Sequence, residues 1–197
     1  FLGFKMNTNA SMLTEKMCHT LLQSGLKTLV FSADAADKET YEKIRVNGKF
    51  ERVYANIERF QNIRANQYPD SKLQTKVSGV KISDTKQSIE SMIEFWKDHV
   101  DDVAFVNYNP WESAYDNEPN DLEAPCSELW RRMFVWYNGQ VNPCDYDYKT
   151  TIFFGMTPNI NDHSVSEIWT SDLYQNLRAK HLNKERGLVE PCKRCIA

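Results

Sequence analysis

The chain has no excess of basic residues. Its 24 Lys and Arg stand against 27 Asp and Glu, a formal net charge of −3. That balance offers no electrostatic footprint for a nucleic acid. Long apolar runs are missing too. None approaches the ~20 residues of a membrane span, and no secretory signal pattern is visible, so no membrane partner is expected. Cysteine is sparse. Five in 197 residues are too few for a disulfide-dense secreted scaffold. An odd count that includes a C-x-x-C fits metal ligation in a reducing, cytoplasmic setting. The four histidines, His19, His99, His163 and His181, show no ligand spacing, and there are no internal repeats or low-complexity tracts. The chain starts Phe1-Leu2-Gly3-Phe4 with no initiator Met and reads as a piece of a longer protein.

What is present is an ordinary globular composition, 41% apolar and 26% charged, at a length that buries a proper core. Phe4 to Asn7 is strand-like. Thr14 caps a helix that Gly25 ends. Thr28 to Ser32 is a continuous apolar run, as expected of a strand buried on both faces. Asp37 caps a helix through Arg45, Gly48 breaks it, and residues 50–64 form a second helical stretch with Val53, Ile57 and Phe60 on one side. Residues 73–82 read as a strand. Residues 84–100 read as a helix with Ile89, Met92, Ile93 and Trp96 inward, and 103–106 as a further strand. This alternation predicts an α/β fold with a parallel sheet. Site groups in such sheets lie at the C-terminal strand ends. Here those ends are Asn7-Thr8-Asn9, Ser32-Ala33-Asp34, Lys81-Ile82-Ser83 and Asn107-Tyr108-Asn109.

The character changes after Trp111. Residues 112–125 are acidic, contain two prolines and read as a linker or loop. Asn138-Gly139 between residues 132–137 and 140–144 signals a β-hairpin. Residues 166–182 are helical, with Ile168, Trp169, Leu173 and Leu177 on one face. Cys126 and Cys144 flank the hairpin, and Cys192-Lys193-Arg194-Cys195 follows the helix. Four thiolates from such positions suit a tetrahedral metal ion or an iron–sulfur cluster. Spacing alone weighs zinc and iron–sulfur equally, and simply buried thiols are a third reading. Cys18 reads as a packed or partly exposed helix thiol. Asp145 and Asp147 are candidate acid–base groups, or polar groups at the hairpin end.

Several stretches resemble a known superfamily. Asn7-Thr8-Asn9 before a helix, Leu29 to Ala35, Thr40 to Arg45 and Gly48-Lys49-Phe50 look like the middle of a radical SAM barrel. The tail resembles the SPASM or twitch extension of that superfamily. The matching residues are Cys126, Gly139, Cys144 after four more residues, Glu167-Ile168-Trp169, Leu177-Arg178 and Cys192-x-x-Cys195. The resemblance implies an α/β architecture in three parts. Residues 1–111 would be part of a radical SAM (β/α) barrel and 112–125 a linker. Residues 126–197 would be a small cysteine-rich β-hairpin plus helix domain.

The resemblance also implies site residues. Cys126, Cys144, Cys192 and Cys195 would hold one auxiliary [4Fe–4S] cluster. Ser32 and Arg45 would contact the carboxylate of S-adenosyl-L-methionine (SAM), with Asn7 and Asn9 facing the same cavity. A hydroxyl and a guanidinium fork suit a carboxylate. It implies a full-length oxidoreductase or modifying enzyme with a second [4Fe–4S] cluster and an electron donor such as flavodoxin or ferredoxin. The reaction would be hydrogen abstraction or dehydrogenation on a peptide, sugar or aminocyclitol. Two departures matter. The superfamily's C-x3-C-x2-C is absent, since only Cys18 precedes Cys126. The four late cysteines match the one-cluster twitch variant and not the seven of SPASM. The rival from another class is a non-catalytic binding module stapled by a four-cysteine zinc site.

Overall fold

The computed structural model describes residues 3–81, 89–108 and 111–195. It forms two compact units, residues 1–108 and 109–197. In the first, the order is β1 (Lys5–Thr8), α1 (Glu15–Gln23), β2 (Thr28–Ser32), α2 (Lys38–Ile44), α3 (Phe50–Gln67), β3 (Gln74–Lys81), α4 (Ile89–Trp96) and β4 (Asp102–Asn107). The four strands form one parallel sheet in the order β1-β2-β3-β4. Right-handed crossovers that step one way along a sheet put their helices on one face. One core joins the helices to that face. Cys18 of α1, Tyr41 of α2, Ile57 and Phe60 of α3 and Trp96 of α4 pack with Leu29, Phe31 and Val77.

Local sequence explains the boundaries. Thr14 accepts a hydrogen bond from Met17 N and starts α1, and Asp37 accepts from Thr40 N and starts α2. Gly25 takes φ +76° past the end of α1, a conformation that favours glycine. In β3, Thr75, Val77 and Gly79 face the helices, while Lys76, Ser78 and Val80 are half-buried on the opposite face. Gly79 packs tightly: a Cβ there would sit 3.0 Å from Met92 and 3.3 Å from Phe105, so those side chains would have to give.

Helix α4 departs from its sequence reading. Met92 and Trp96 are buried, but Ile89 and Ile93 are 37% and 43% exposed. The apolar stripe is wider than the face α4 buries, and the i, i+4 pair at 89 and 93 falls on its rim. Residues 82–88 and 109–110 lie outside the described residues, and with them the readings placed on Ile82, Ser83, Asp84 and Asn109.

The second unit holds α5 (Glu128–Arg131), β5 (Phe134–Val135), β6 (Val141–Asn142), α6 (Val165–Thr170) and α7 (Asp172–Leu182), with 3₁₀ turns at 111–113, 186–188 and 192–194. Its main core is Leu129, Val141, Phe153, Ile168, Tyr174, Leu177 and Val189. The single helix read over 166–182 is two helices. Ser171 breaks it with extended backbone, φ −63° and ψ 157°, and its hydroxyl donates to Ile168 O at 2.7 Å. Serine side chains compete for backbone bonds in this way and favour helix ends. Ser164 and Glu167 form a capping box at the start of α6.

β5 and β6 pair antiparallel around a three-residue loop, Tyr137-Asn138-Gly139. Trp136 N donates to Gln140 O at 2.8 Å, and Gly139 N donates to Trp136 O at 2.9 Å. Gly139 has φ +84°, the left-handed position of such a loop. A Cβ there would collide with the Asn159 and Asn161 side chains. The acidic stretch after Trp111 is fastened down within this unit. Asn120 donates its backbone N–H to Lys193 O and its Nδ2 to Cys195 O, both at 2.9 Å, and Arg194 Nη1 donates to Asn117 O.

Candidate metal centre

The four late cysteines come from three separate local devices. Cys126 stands just before α5, and its backbone N–H donates to Nδ1 of His181 at 3.3 Å. Cys144 follows β6, and its Sγ accepts the backbone N–H of Tyr146 at 3.3 Å. Cys192 opens the last 3₁₀ turn, and Cys195 closes it through Cys195 N donating to Cys192 O. None of the five cysteines is in a disulfide. Cys126 and Cys192 pack against the main core of the unit, and Cys195 and Cys144 against Tyr146 and Ala114.

The thiols lie within electrostatic reach of one another. Cys144 feels Cys195 and Cys126, and Cys192 feels Cys144, Cys195 and Cys126. Burial is the larger effect and pushes both thiols from the ordinary 9.0 up to about 12. Among the described residues no three Cys, His, Asp or Glu side chains stand together as a single-ion cage. The donor set nonetheless fits an iron–sulfur group chemically: four cysteines, with Cys144 and Cys192 in electrostatic reach of the other thiols and an N–H aimed at one sulfur.

Two residues given no role from the sequence stand behind the cysteines. Arg186 is buried and, among the described residues, donates to the carbonyls of Cys192 (Nε, 3.2 Å), Ala124 (Nη1, 3.4 Å) and Cys195 (Nη2, 3.4 Å). His181 is fully buried on α7. Burial, aided by Arg186, lowers its pKa to about 4, which keeps the ring neutral and Nδ1 able to accept from Cys126. No ligand spacing marked either residue.

These shifts set a pH window for the metal-free second unit. The folded thiols hold protons that an unfolded chain releases above pH 9.0, so stability falls as pH rises from about 9 toward 12. The folded His181 refuses a proton that the unfolded chain takes up below 6.5, so stability also falls as pH drops from 6.5 toward 4. Chemical unfolding of metal-free protein across pH should show greatest stability between about 6.5 and 9. A flat profile from 5 to 11 would contradict these environments.

In the first unit, Ser32 ends β2, half-buried, in register with Ser78 of β3. Asn7 is exposed on β1 opposite Val30. Asn9 is exposed and bonds locally, its Oδ1 accepting from Ser11 N and Ser11 Oγ. Arg45, at the C-terminus of α2, reaches the end of β2, where its Nε meets Asp34 Oδ2 at 2.5 Å. Asp34 Oδ1 accepts from Val80 N at 3.0 Å, so one carboxylate ties β2 to β3 and holds the guanidinium. Asp34 is buried, whereas the Arg45 side chain is 37% exposed. Arg45→Ala should therefore cost ~1–2 kcal/mol, below the cost of breaking a fully buried pair. Urea unfolding checks this, and an unchanged midpoint would refute the pairing.

Asp145 and Asp147 separate. Asp145 is half-buried beside Cys144. Asp147 is fully buried and spends its oxygens on Tyr115 Oη, Thr151 N, Thr151 Oγ1 and Ile152 N. It is a structural node and not an acid–base group.

Comparison with known proteins agrees with this anatomy. A family model described as an iron–sulfur cluster-binding domain, SPASM, matches residues 126–196. The crystal structure of Streptococcus suis SuiB bound to the precursor peptide SuiA has a TM-score of 0.64 and 15% identity, covering 89% of this chain and 49% of that one. SuiB bound to S-adenosylmethionine gives 0.55 and 16%, covering 97% and 54%. The chain thus spans about half the length of these structures. No curated protein matches the sequence. Among the described residues no helix is long and apolar enough to cross a membrane. Residues 126–196 are thus similar to the iron–sulfur cluster-binding SPASM domain, and the fold of the chain is similar to that of the two SuiB structures.

Proposed function

We propose that Cys126, Cys144, Cys192 and Cys195 ligate one auxiliary [4Fe–4S] cluster, and that the chain is the C-terminal portion of a radical SAM enzyme that modifies a peptide in the cytoplasm. The observation that carries this is the set of four coupled cysteines inside a domain matched as iron–sulfur cluster-binding. When bound, such a cluster supplies one-electron chemistry or an iron site for substrate. The chain's own residues hold and orient it. The Tyr146 N–H stabilises the Cys144 thiolate, and His181 and Arg186 fix the backbone of the other three cysteines.

In the first unit, Ser32, Arg45, Asn7 and Asn9 are the proposed SAM contacts. Among the described residues Arg45 engages Nε alone, on Asp34, which leaves the terminal nitrogens of its fork for a carboxylate. Arg45→Ala in the full-length enzyme should weaken SAM binding about tenfold or more, ~1.4 kcal/mol per decade. The peptide substrate is favoured by the likeness to SuiB, whose structure holds a precursor peptide. A flavodoxin or ferredoxin is the proposed electron source.

The residues for SAM cleavage are not in this sequence, which has no C-x3-C-x2-C. The chain alone, reconstituted with iron and sulfide and given dithionite and SAM without oxygen, should release no 5′-deoxyadenosine above background. The full-length protein should release it, and a precursor peptide should lose hydrogen by mass spectrometry. Turnover by the chain alone would overturn this reading.

A further inference from the structure

We infer that Arg186 is the positioning residue of the cysteine site, clamping its segments together and supplying a fixed positive charge behind them; this rests on the cluster reading above. Arg186 is 3% exposed. A guanidinium stays protonated in proteins, so this is a charge taken out of water. It is aimed at the site's own backbone. Two of its acceptors are the carbonyls of Cys192 and Cys195, so one side chain spans the C-x-x-C turn. Another is the carbonyl of Ala124, two residues before Cys126. One planar fork therefore joins the segments that bear three of the four cysteines. The α7 side closes the arrangement, because His181, five residues earlier, holds the Cys126 N–H.

The charge has a second consequence. Four thiolates make the site anionic, and reduction adds one further negative charge. A fixed cation in a low-dielectric setting favours the state with more negative charge. Arg186 therefore favours reduction, and its charge is felt at Cys192.

The test uses the whole chain, reconstituted without oxygen with iron and sulfide, and titrated with dithionite. Dithionite splits at its S–S bond into two SO2 radical anions, each of which gives one electron to an oxidised cluster and leaves as sulfite; no bond of the protein breaks and no proton is transferred to the cluster. Arg186→Gln should lower iron retention against a chelator at least tenfold. It should also shift the reduced-to-oxidised ratio at fixed solution potential at least tenfold toward oxidised, ~59 mV for a one-electron couple. Arg186→Lys keeps the charge and loses the fork. It should lose iron faster than wild type yet hold the wild-type potential.

If the Gln variant does not fold, the Lys variant carries the test. Full iron retention in Lys overturns the clamp, and a tenfold shift in its ratio overturns the charge role. A Gln variant with wild-type retention and potential overturns both. A wild-type chain that takes up no iron overturns the cluster reading together with this inference. A loaded wild type with unaffected variants overturns this inference alone.

Discussion

Replacing Cys144 or Cys192 by Ala is expected to empty the metal centre. Each substitution leaves three thiols where four are needed, and iron–sulfur clusters are held by four cysteines. Outer-shell changes around metal sites cost 10–100-fold in affinity. Loss of a ligand should cost at least that, so iron per chain should fall by about tenfold or more. The effect extends to the fold. Cys192 packs against the core of Val141, Ile168 and Leu177, and metal binding is coupled to folding in such small domains. Thermal unfolding of the loaded variants should move down to the metal-free value. Cys18→Ala serves as the control, since Cys18 is buried in the first unit's core. It should leave iron unchanged. Full iron in both the Cys144 and Cys192 variants would refute the four-ligand assignment.

Asp147→Ala is expected to be the most destabilising change away from the cysteines. The carboxylate is fully buried and accepts from four donors, two of them backbone N–H groups of residues 151 and 152. Its own carbonyl accepts from Asn142 Nδ2 at 2.6 Å, which ties the loop to β6. Removing the carboxylate strands those donors. Each buried donor left without a partner costs about 1–3 kcal/mol, and partial relaxation brings the sum to ~3–5 kcal/mol. Asp145→Ala should cost under ~1 kcal/mol, because Asp145 is only half-buried. Urea unfolding of the two variants checks both values. An Asp147→Ala variant within ~0.5 kcal/mol of wild type would show that the network is not formed.

The parts of this fold that were legible in the sequence are those set by near neighbours along the chain. Thr14 and Asp37 each sit three residues before the N–H they accept, so the helix starts could be read directly. The apolar run 28–32 marked an inner strand, whose Leu29, Val30 and Phe31 are all buried. The four cysteines stood out by type and spacing.

What escaped was decided by tertiary partners. Periodicity carried the helix straight through Ser171, because Ile168 and Leu177 both belong on the buried side of either version. The apolar stripe of α4 did not say that Ile89 and Ile93 would stay exposed. The resemblance gave Arg45 a carboxylate to hold, but its partner in the fold, Asp34, stands eleven residues away and carries no local signal. Arg186 and His181 were invisible for the same reason. Their roles rest on carbonyls and an N–H that only the folded chain brings near.

The most direct test of the central claim is a count of iron, acid-labile sulfide and zinc per chain after anaerobic reconstitution, with the visible spectrum taken on the same sample. The expected result is a brown protein with broad visible absorption, iron and sulfide in equal amounts matching one [4Fe–4S] cluster per chain, and no zinc. A colourless protein with one zinc per chain and no sulfide would contradict it, and would leave the four cysteines as a structural staple.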